Sequence, residues 1–337
     1  MDRVRLKEQE AAEGREVHVP TRAELLFLVV FSAGPCGVAS PQQENGKAQD
    51  EARFKTETSL VLLDVTVTDK RGRAVPGFKP DNLVVCEDGS QQDIAFFSDE
   101  RRPTSWGLVL DRSGSMAGMM REVYNAALHS VKAATREDDA FVMTFNQNVA
   151  VVQEFTSDRN QLLKASRKLK ADGNTALYDA VALAVDHIRH GRHRKKVLVV
   201  VTDGEENASH VRFGELLEKA RESEVLIYTV GFFRTYPSTL SVPESPTRME
   251  LQHLAEQTGG LAYFPKSMEQ CDRVCRDIAL KVSQQYSLGY YPKNTTWDGR
   301  WREITVAPAQ AHSVTVRARK GYFATSQMTS GKVELDH

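Results

Sequence analysis

A short turn, Asp111-Arg112-Ser113-Gly114-Ser115, places one carboxylate and two hydroxyls at alternate positions of the chain. It directly follows the apolar run 106–110, which is typical of a strand buried on both faces. Side chains that follow such a strand lie at the carboxyl edge of the sheet, where open α/β sheets bind ligands. Three oxygen donors in one turn suit a hard divalent cation. The turn therefore predicts part of a cation site.

Two further segments offer oxygen donors at the same edge. Asp172-Gly173-Asn174-Thr175 precedes a predicted helix, and Thr202-Asp203-Gly204 ends the predicted strand 197–202. In a doubly wound sheet the ends of two such strands are neighbours. The crevice would then collect two carboxylates and three hydroxyls, which belong to Asp111, Asp203, Ser113, Ser115 and Thr175.

Each of these residues also has an ordinary structural explanation. Ser113 and Ser115 can cap a helix, Thr175 can be an N-cap, and Asp203 can form a turn. Their joint placement favours the cation site over four separate coincidences. Arg112 lies beside the expected ion, where its charge would weaken metal binding or select an acidic partner.

The elements that must position these residues alternate between strands and helices from 103 to 280. Strands are predicted at 106–110, 140–145, 149–155, 197–202, 225–230 and 261–264, with 149–155 at an edge of the sheet. Helices are predicted at 116–134, 159–169, 177–190, 213–221, 249–257 and 268–284. This alternation, with short connections, predicts a doubly wound, mostly parallel α/β sheet covered by helices on both faces.

The segments on either side, 54–100 and 286–325, have strand patterns and no helical period. Neither is large enough for a stable core of its own. We therefore expect both flanks to pair into one small β-sandwich, with the α/β unit 103–280 inserted between them. The polar segment 326–337 is expected to be a flexible tail.

Three motifs together resemble the von Willebrand factor type A (VWA) domain, whose fold is Rossmann-like. They are Asp-x-Ser-x-Ser at 111–115, Gly-x-Thr-Ala-Leu at 173–177 and Thr-Asp-Gly at 202–204. The resemblance covers about 103–280 and implies a metal-ion-dependent adhesion site at Asp111, Ser113, Ser115, Thr175 and Asp203. Segments 67–72, 87–89, 288–292 and 320–322 resemble a bacterial VWFA-related subgroup first noted in Acidobacteria, for which no function can be carried over.

The cation that this donor set predicts is Mg²⁺, with Mn²⁺ or Ca²⁺ as alternatives. Mg²⁺ requires about six oxygens near octahedral geometry and releases water reluctantly. Three neutral hydroxyls, with two carboxylates that bind directly or through water, leave the ion under-neutralised, and one position stays open to solvent. Such an ion attracts an incoming carboxylate, so the expected ligand is an Asp or Glu of a protein partner.

Composition limits the other partners. The chain has 337 residues, which predicts two domains, and a formal net charge of −1. A neutral chain has no general attraction for nucleic acid, so no nucleic-acid partner is expected.

The N-terminal segment fits a secretory signal peptide at 1–39. The apolar run 25–31 is too short to span a bilayer and is followed by small residues up to a predicted cut after Ala39. The 24 residues before it are long and acidic for such a signal, which a true start near Val17 would explain. A linker, 40–53, follows. We expect a secreted, periplasmic or cell-surface protein with no membrane span in its mature chain.

The cysteines offer no metal site. Cys36 would leave with the signal peptide, and Cys86, Cys271 and Cys275 remain. Without further ligands nearby they are interpreted as small buried side chains, and a bridge from Cys86 to one of the other two stays open.

These observations favour an interaction protein over an enzyme. The first hypothesis is adhesion to a protein partner through the cation. A metal-assisted hydrolase is the alternative, and Glu205 is the only nearby candidate for its general base. A third hypothesis is a structural subunit of an envelope assembly, which would be a cation-dependent oligomer.

The signal peptide can be tested directly. We expect N-terminal sequencing of the exported protein to begin at Ser40, because the small residues before it fit a cleavage site. An exported chain that retains Met1 would contradict this assignment.

Overall fold

The computed structural model describes residues 60–325, apart from 133–136, 166–169, 234–244 and 311–312. The predicted signal peptide, linker and tail lie outside the described residues. Within the described part, every helix is too short or too polar to cross a lipid bilayer.

The strands and helices are numbered in order along the chain. The strands are β1 (Val61–Asp69), β2 (Leu83–Glu87), β3 (Ser90–Gln92), β4 (Ile94–Ser98), β5 (Thr104–Asp111), β6 (Asp139–Phe145), β7 (Val149–Thr156), β8 (Lys195–Thr202), β9 (Leu226–Gly231), β10 (Ala262–Tyr263), β11 (Tyr286–Tyr290), β12 (Trp301–Pro308), β13 (Val314–Arg317) and β14 (Gly321–Phe323). The helices are α1 (Met120–Lys132), α2 (Arg159–Ala165), α3 (Leu177–His187), α4 (Phe213–Glu222), α5 (Pro246–Thr258) and α6 (Met268–Ser283).

The first helix begins later than the sequence predicted. A single 3₁₀ turn, Gly114–Met116, follows the Asp111 turn, and α1 starts only at Met120. Between them Gly118 has a φ of +89°, which is outside the right-handed helical region and interrupts the helix. The expectation of one helix from 116 was therefore wrong at its start.

The central sheet has the strand order β10-β9-β8-β5-β6-β7. Its neighbouring pairs are parallel except β6 and β7, which are antiparallel, so β7 is the edge strand that the sequence predicted. β5 pairs directly with β8, with Leu110 opposite Val201. The two strands that carry Asp111 and Asp203 therefore end side by side.

Helices cover both faces of this sheet. Leu108 and Leu110 of β5 pack into one hydrophobic core with α1 and α6, and Val109 packs into a second core with α3 and α4. Every residue of β5 is buried. This arrangement confirms the doubly wound α/β fold.

The two flanks form a β-sandwich around a third core. One sheet has the order β13-β1-β11-β4 and the other β14-β12-β2-β3, so each contains strands from both sides of the α/β unit. Side chains of both sheets meet in one cluster, which includes Val65, Val85, Leu288 and Ile304. The predicted insertion of the α/β unit into a sandwich is thereby confirmed.

A buried carboxylate joins the two flanks inside this core. Glu87 of β2 is 2% exposed, and its Oε2 accepts hydrogen bonds from the Tyr290 hydroxyl at 2.8 Å and the Tyr322 hydroxyl at 3.0 Å. Burial and the nearby Glu87 charge raise the pKa of both tyrosines, so both hydroxyls remain protonated donors. Glu87, Tyr290 and Tyr322 belong to three of the flanking segments that resemble the bacterial subgroup, 87–89, 288–292 and 320–322. These three segments are therefore joined by the hydrogen bonds to Glu87.

The sandwich adjoins the amino edge of the central sheet. Arg319 Nη1 donates to Glu224 Oε1 at 3.2 Å, just before β9, and the Lys320 amide donates to the Gln257 carbonyl at 3.1 Å. Gly259, with a φ of +85°, ends α5 at this contact, and a Cβ there would lie 2.6 Å from the Arg319 nitrogen. Because β5 has 8 residues, this edge is roughly 25 Å from the carboxyl edge that carries Asp111.

The three described cysteines are free, and Cys271 and Cys275 are fully buried. The interpretation of this pair as small core side chains agrees with their position on α6 against the sheet.

Removing the Glu87 carboxylate should destabilise the protein. We expect Glu87→Ala to lower the free energy of unfolding by about 2–4 kcal/mol, because two buried hydroxyls lose their acceptor. Urea unfolding followed by circular dichroism measures this. Glu303→Ala, an exposed carboxylate on β12, is the matched control, and an equal loss in both variants would contradict the explanation.

Candidate metal centre

Asp111 ends β5 with a fully buried carboxylate. Its Oδ1 accepts a hydrogen bond from the Ser113 amide at 2.8 Å, and its Oδ2 accepts one from the Thr202 hydroxyl at 2.7 Å. These two bonds fix the carboxylate between its own turn and the end of β8. Among the described residues, no Lys, Arg or His forms an ion pair with Asp111.

The electrostatic surroundings disfavour the charge on Asp111. Burial raises the pKa of this carboxyl to about 6, and the negative charge of Asp203 adds to the rise. Hydrogen bonds from Ser113 and Thr202 oppose it. The two carboxylates are therefore close enough to repel each other, and a cation between them would relieve the repulsion.

The two serine hydroxyls of the turn do not cap a helix. Ser113 precedes the 3₁₀ turn, yet its side chain makes no capping hydrogen bond. Its Oγ instead lies 3.0 Å from Ser115 Oγ, so the two oxygens are adjacent. The capping explanation fails for Ser113 in the structure.

Thr175 lies on a second loop that is bonded to the first. The Gly114 amide donates to the Gly173 carbonyl at 2.9 Å, and the Asp172 amide donates to the Arg112 carbonyl at 2.9 Å. Thr175 is buried and is not the N-cap of α3, a position that belongs to Ala176. Its side chain is therefore not occupied by helix capping.

The third loop, after β8, is bonded to the second. The Thr175 amide donates to Asn207 Oδ1 at 2.9 Å, and the Asn207 amide donates to the Thr175 carbonyl at 3.0 Å. Asp203 is half-buried at the start of this loop. Gly204 has a φ of +82°, and a Cβ there would lie 2.1 Å from the Phe233 ring, so this turn requires glycine.

The structure thus brings the predicted residues to one edge. Asp111, Ser113 and Ser115 share a turn, the Thr175 loop is bonded to that turn, and Asp203 is within electrostatic reach of Asp111. Among the described residues, no group of three or more His, Cys, Asp or Glu side chains converges at this edge or at any other place, so the candidate site depends on hydroxyls as well as two carboxylates. The donors are hard oxygens, which fit Mg²⁺, Mn²⁺ or Ca²⁺ rather than a soft metal. That they bind a metal stays a prediction.

Arg112 differs from its expected position beside the ion. Its Nη1 pairs with Asp172 Oδ1 at 2.5 Å, and its Nη2 donates to Asn146 Oδ1 at 3.2 Å. Asn146 in turn donates to Asp172 Oδ1 at 2.8 Å. The guanidinium charge is thus neutralised within a loop-to-loop contact, and it holds the loops together.

Sequence reasoning missed two residues that organise the site. The sequence identifies Thr202 as the end of a strand and the first residue of the Thr-Asp-Gly motif, but not the two hydrogen bonds of its hydroxyl, which donates to Asp111 Oδ2 at 2.7 Å and accepts from the Gly204 amide at 3.1 Å. Asn207 was not considered at all. The position of Thr202, directly before Asp203 at the end of a strand beside β5, was the available signal.

Comparison with known proteins agrees with this architecture. Residues 107–206 match the family model described as the von Willebrand factor type A domain. An uncharacterized protein of Synechocystis is 33% identical over 139 residues, which cover 40% of this chain and 33% of that protein. The chain thus spans about a third of that relative's length.

Two solved structures align with parts of this chain. A von Willebrand factor type A protein from Catenulispora acidiphila has a TM-score of 0.46 and 10% identity, over 80% of this chain and 75% of that one. The vWF domain of the type V pili tip protein Mfa5 from Porphyromonas gingivalis has a TM-score of 0.43 and 11% identity, over 54% of this chain and 97% of that one.

The family model covers the segment from β5 to the loop after β8, and this segment contains all three motifs of the site. The finer resemblance to the Acidobacteria-type subgroup stays a prediction. Within this chain, residues 107–206 match the von Willebrand factor type A domain.

Proposed function

We propose that this chain is a secreted or cell-surface interaction protein that binds a protein partner through a divalent cation. Mg²⁺ is the first candidate for this cation. The ion would be held by the five oxygen-bearing residues at the carboxyl edge of the central sheet, namely Asp111, Ser113, Ser115, Thr175 and Asp203.

The observation that carries the proposal is the assembly of this edge. Three loops are joined by hydrogen bonds between their own backbones and side chains, so the donors are held together before any ligand arrives. Preorganised donors lose little freedom on binding and therefore favour a site over a chance cluster of polar residues.

The charges support a cation rather than a neutral ligand. Two carboxylates, Asp111 and Asp203, face one crevice, and no basic side chain of the described residues forms an ion pair with either of them. A buried carboxylate without a partner is costly. A divalent cation would supply the missing positive charge.

The open coordination position favours a carboxylate partner. Two carboxylates and three neutral hydroxyls supply five oxygens, whereas Mg²⁺ takes about six. An acidic side chain of a second protein can occupy the remaining position and add negative charge. When bound, the cation would supply this attraction, while the chain's own loops would set its position and direction.

The hydrolase alternative has less support. Glu205 is exposed, and no side chain of the described residues forms a hydrogen bond with its carboxylate to orient it as a base. Glu206 accepts hydrogen bonds from the Ala208, Ser209 and Tyr178 amides and so has a structural position at the start of α3. A general base needs a fixed geometry, which neither glutamate shows toward Asp203.

Cation binding can be tested through stability. In EDTA we expect Asp111→Asn to unfold at a higher temperature than the unmodified protein, because the amide removes a buried charge close to Asp203. In Mg²⁺ at 100 times its dissociation constant, the unmodified protein should gain about 2.7 kcal/mol and the variant nothing. Scanning calorimetry in EDTA and in Mg²⁺ measures whether the order of the two unfolding temperatures reverses.

Glu205→Gln is the matched control for this experiment. It removes the same charge from an exposed residue of the neighbouring loop, after β8, that is not a predicted ligand. It should keep the Mg²⁺ response. Equal Mg²⁺ stabilisation of all three proteins would refute the cation site.

Partner binding is a separate prediction. Immobilised protein should capture a partner from an envelope fraction in Mg²⁺ and release it in EDTA, because the cation bridges the two chains. Asp203→Ala should abolish capture, and Glu205→Ala should retain it. Capture that survives both EDTA and Asp203→Ala would contradict the mechanism.

The same preparation distinguishes the structural-subunit hypothesis. Analytical ultracentrifugation in Mg²⁺ and in EDTA would reveal an oligomer of this chain that dissociates without the cation. In that outcome the carboxylate comes from a second copy.

A further inference from the structure

A second charged cavity lies at the opposite end of the α/β unit, where the sandwich meets the amino edge of the central sheet. Its volume is about 40 Å³. The wall includes the starts of β8 and β9, the ends of α4 and α5, and Leu62–Asp64 of β1. It is separate from the proposed metal centre and does not depend on it.

Positive charge predominates in this wall. Two carboxylates line it, Asp64 and Glu224, against five basic side chains, namely Arg102, Arg194, Lys195, Arg221 and Arg319. The difference of three positive charges is reduced by the carbonyl ends of α4 and α5, each equivalent to about half a negative charge. Roughly two positive charges remain without a partner.

Some of these basic groups are already engaged. Arg221 donates from Nε and Nη2 to Gln257 Oε1, at 3.0 and 2.8 Å. Arg319 donates from Nη1 to Glu224 Oε1 and from Nη2 to the Leu62 carbonyl, both at 3.2 Å. These contacts hold the wall in place.

Other donors are not engaged. Arg319 Nε is buried and has no hydrogen-bond partner. Arg194 has one distant contact, 3.9 Å to Glu224 Oε2, and the Arg102 guanidinium lies 5.4 Å from the Phe96 ring centroid with no hydrogen bond among the described residues. Buried donors without acceptors are uncommon in folded proteins, and an unassigned ligand is one explanation for them.

Lys195 makes the cavity more than an exposed basic patch. This residue is 7% exposed, and its Nζ donates one hydrogen bond, to the Val282 carbonyl at 2.6 Å. An ammonium has three donors, so two are left. Burial lowers the pKa of Lys195, and the nearby Asp64 carboxylate opposes this only in part.

We propose that this cavity binds a small oxyanion, of the size of one phosphate or carboxylate group. The unengaged donors come from the α/β unit through Arg194 and Lys195, from the connection between β4 and β5 through Arg102, and from the C-terminal flank through Arg319. A volume of about 40 Å³ holds about three water molecules, which admits one such group.

Such a ligand would link the α/β unit to the β-sandwich. An anion held by Lys195 at the start of β8 and by Arg319 beside β14 bonds the sheet to the sandwich. A ligand that binds only the folded protein stabilises the folded state by mass action. The chain would therefore be most stable where the anion is present.

Calorimetric titration of the full chain tests this proposal. Inorganic phosphate and succinate are titrated separately at constant ionic strength set with sodium chloride. All buffers contain EDTA, so that no cation at the other edge can bind the anion. We expect saturable 1:1 binding of one or both, and the preferred anion identifies a phosphoryl or a carboxylate source.

Two variants and a control make the result specific. Arg194→Gln, a change at a side chain that is 52% exposed, should weaken binding at least threefold without disturbing the fold. Arg102→Gln with Arg194→Gln should weaken it at least tenfold. Arg300→Gln is the control, since this exposed arginine has a similarly distant ion pair, 3.6 Å to Asp298, and does not line the cavity.

The proposal is overturned if neither anion gives saturable binding. It is also overturned if the double variant, shown by circular dichroism to be folded, binds as tightly as the unmodified protein. Loss of binding in Arg300→Gln to the same degree would show a general charge effect and would equally reject the site.

Discussion

A buried carboxylate at the end of the central strand is the constraint on which the carboxyl edge depends. Asp111 needs hydrogen bonds because burial deprives it of water, and it receives them from the Ser113 amide and the Thr202 hydroxyl. Those two bonds require β8 beside β5 and a tight turn after Asp111. The strand order, the position of Asp203 and the joined loops all satisfy the same requirement.

Much of the fold could be predicted because its signals are local. Continuous apolar runs identified the buried strands, and β7 was recognised as an edge strand before its antiparallel pairing was known. The delayed start of α1 was not predicted, since it depends on the φ of +89° that Gly118 adopts. The hydrogen bond from Tyr290 to Glu87 could not be predicted either, because the two residues lie 203 positions apart in the sequence.

The candidate site could likewise be predicted only in part. Asp111, Ser113, Ser115, Thr175 and Asp203 were named from their spacing and from the family pattern, and the structure places them at one edge. Their supporting contacts were not foreseen. Arg112 was expected to affect the ion, whereas it pairs with Asp172 across the loops, since the direction of a long side chain cannot be read from spacing.

The inserted topology also sets an order of events during synthesis. The strands of the α/β unit lie between 104 and 263, so they are complete before the second flank is made. Tyr290 follows Glu87 by 203 residues, which a ribosome adds in roughly 10–40 s at about 5–20 residues per second. Throughout that interval β1 and β4 lack the strand that separates them, β11, and present open edges to other nascent chains. The time before residues 286–325 emerge is therefore when this protein is most exposed to misassembly.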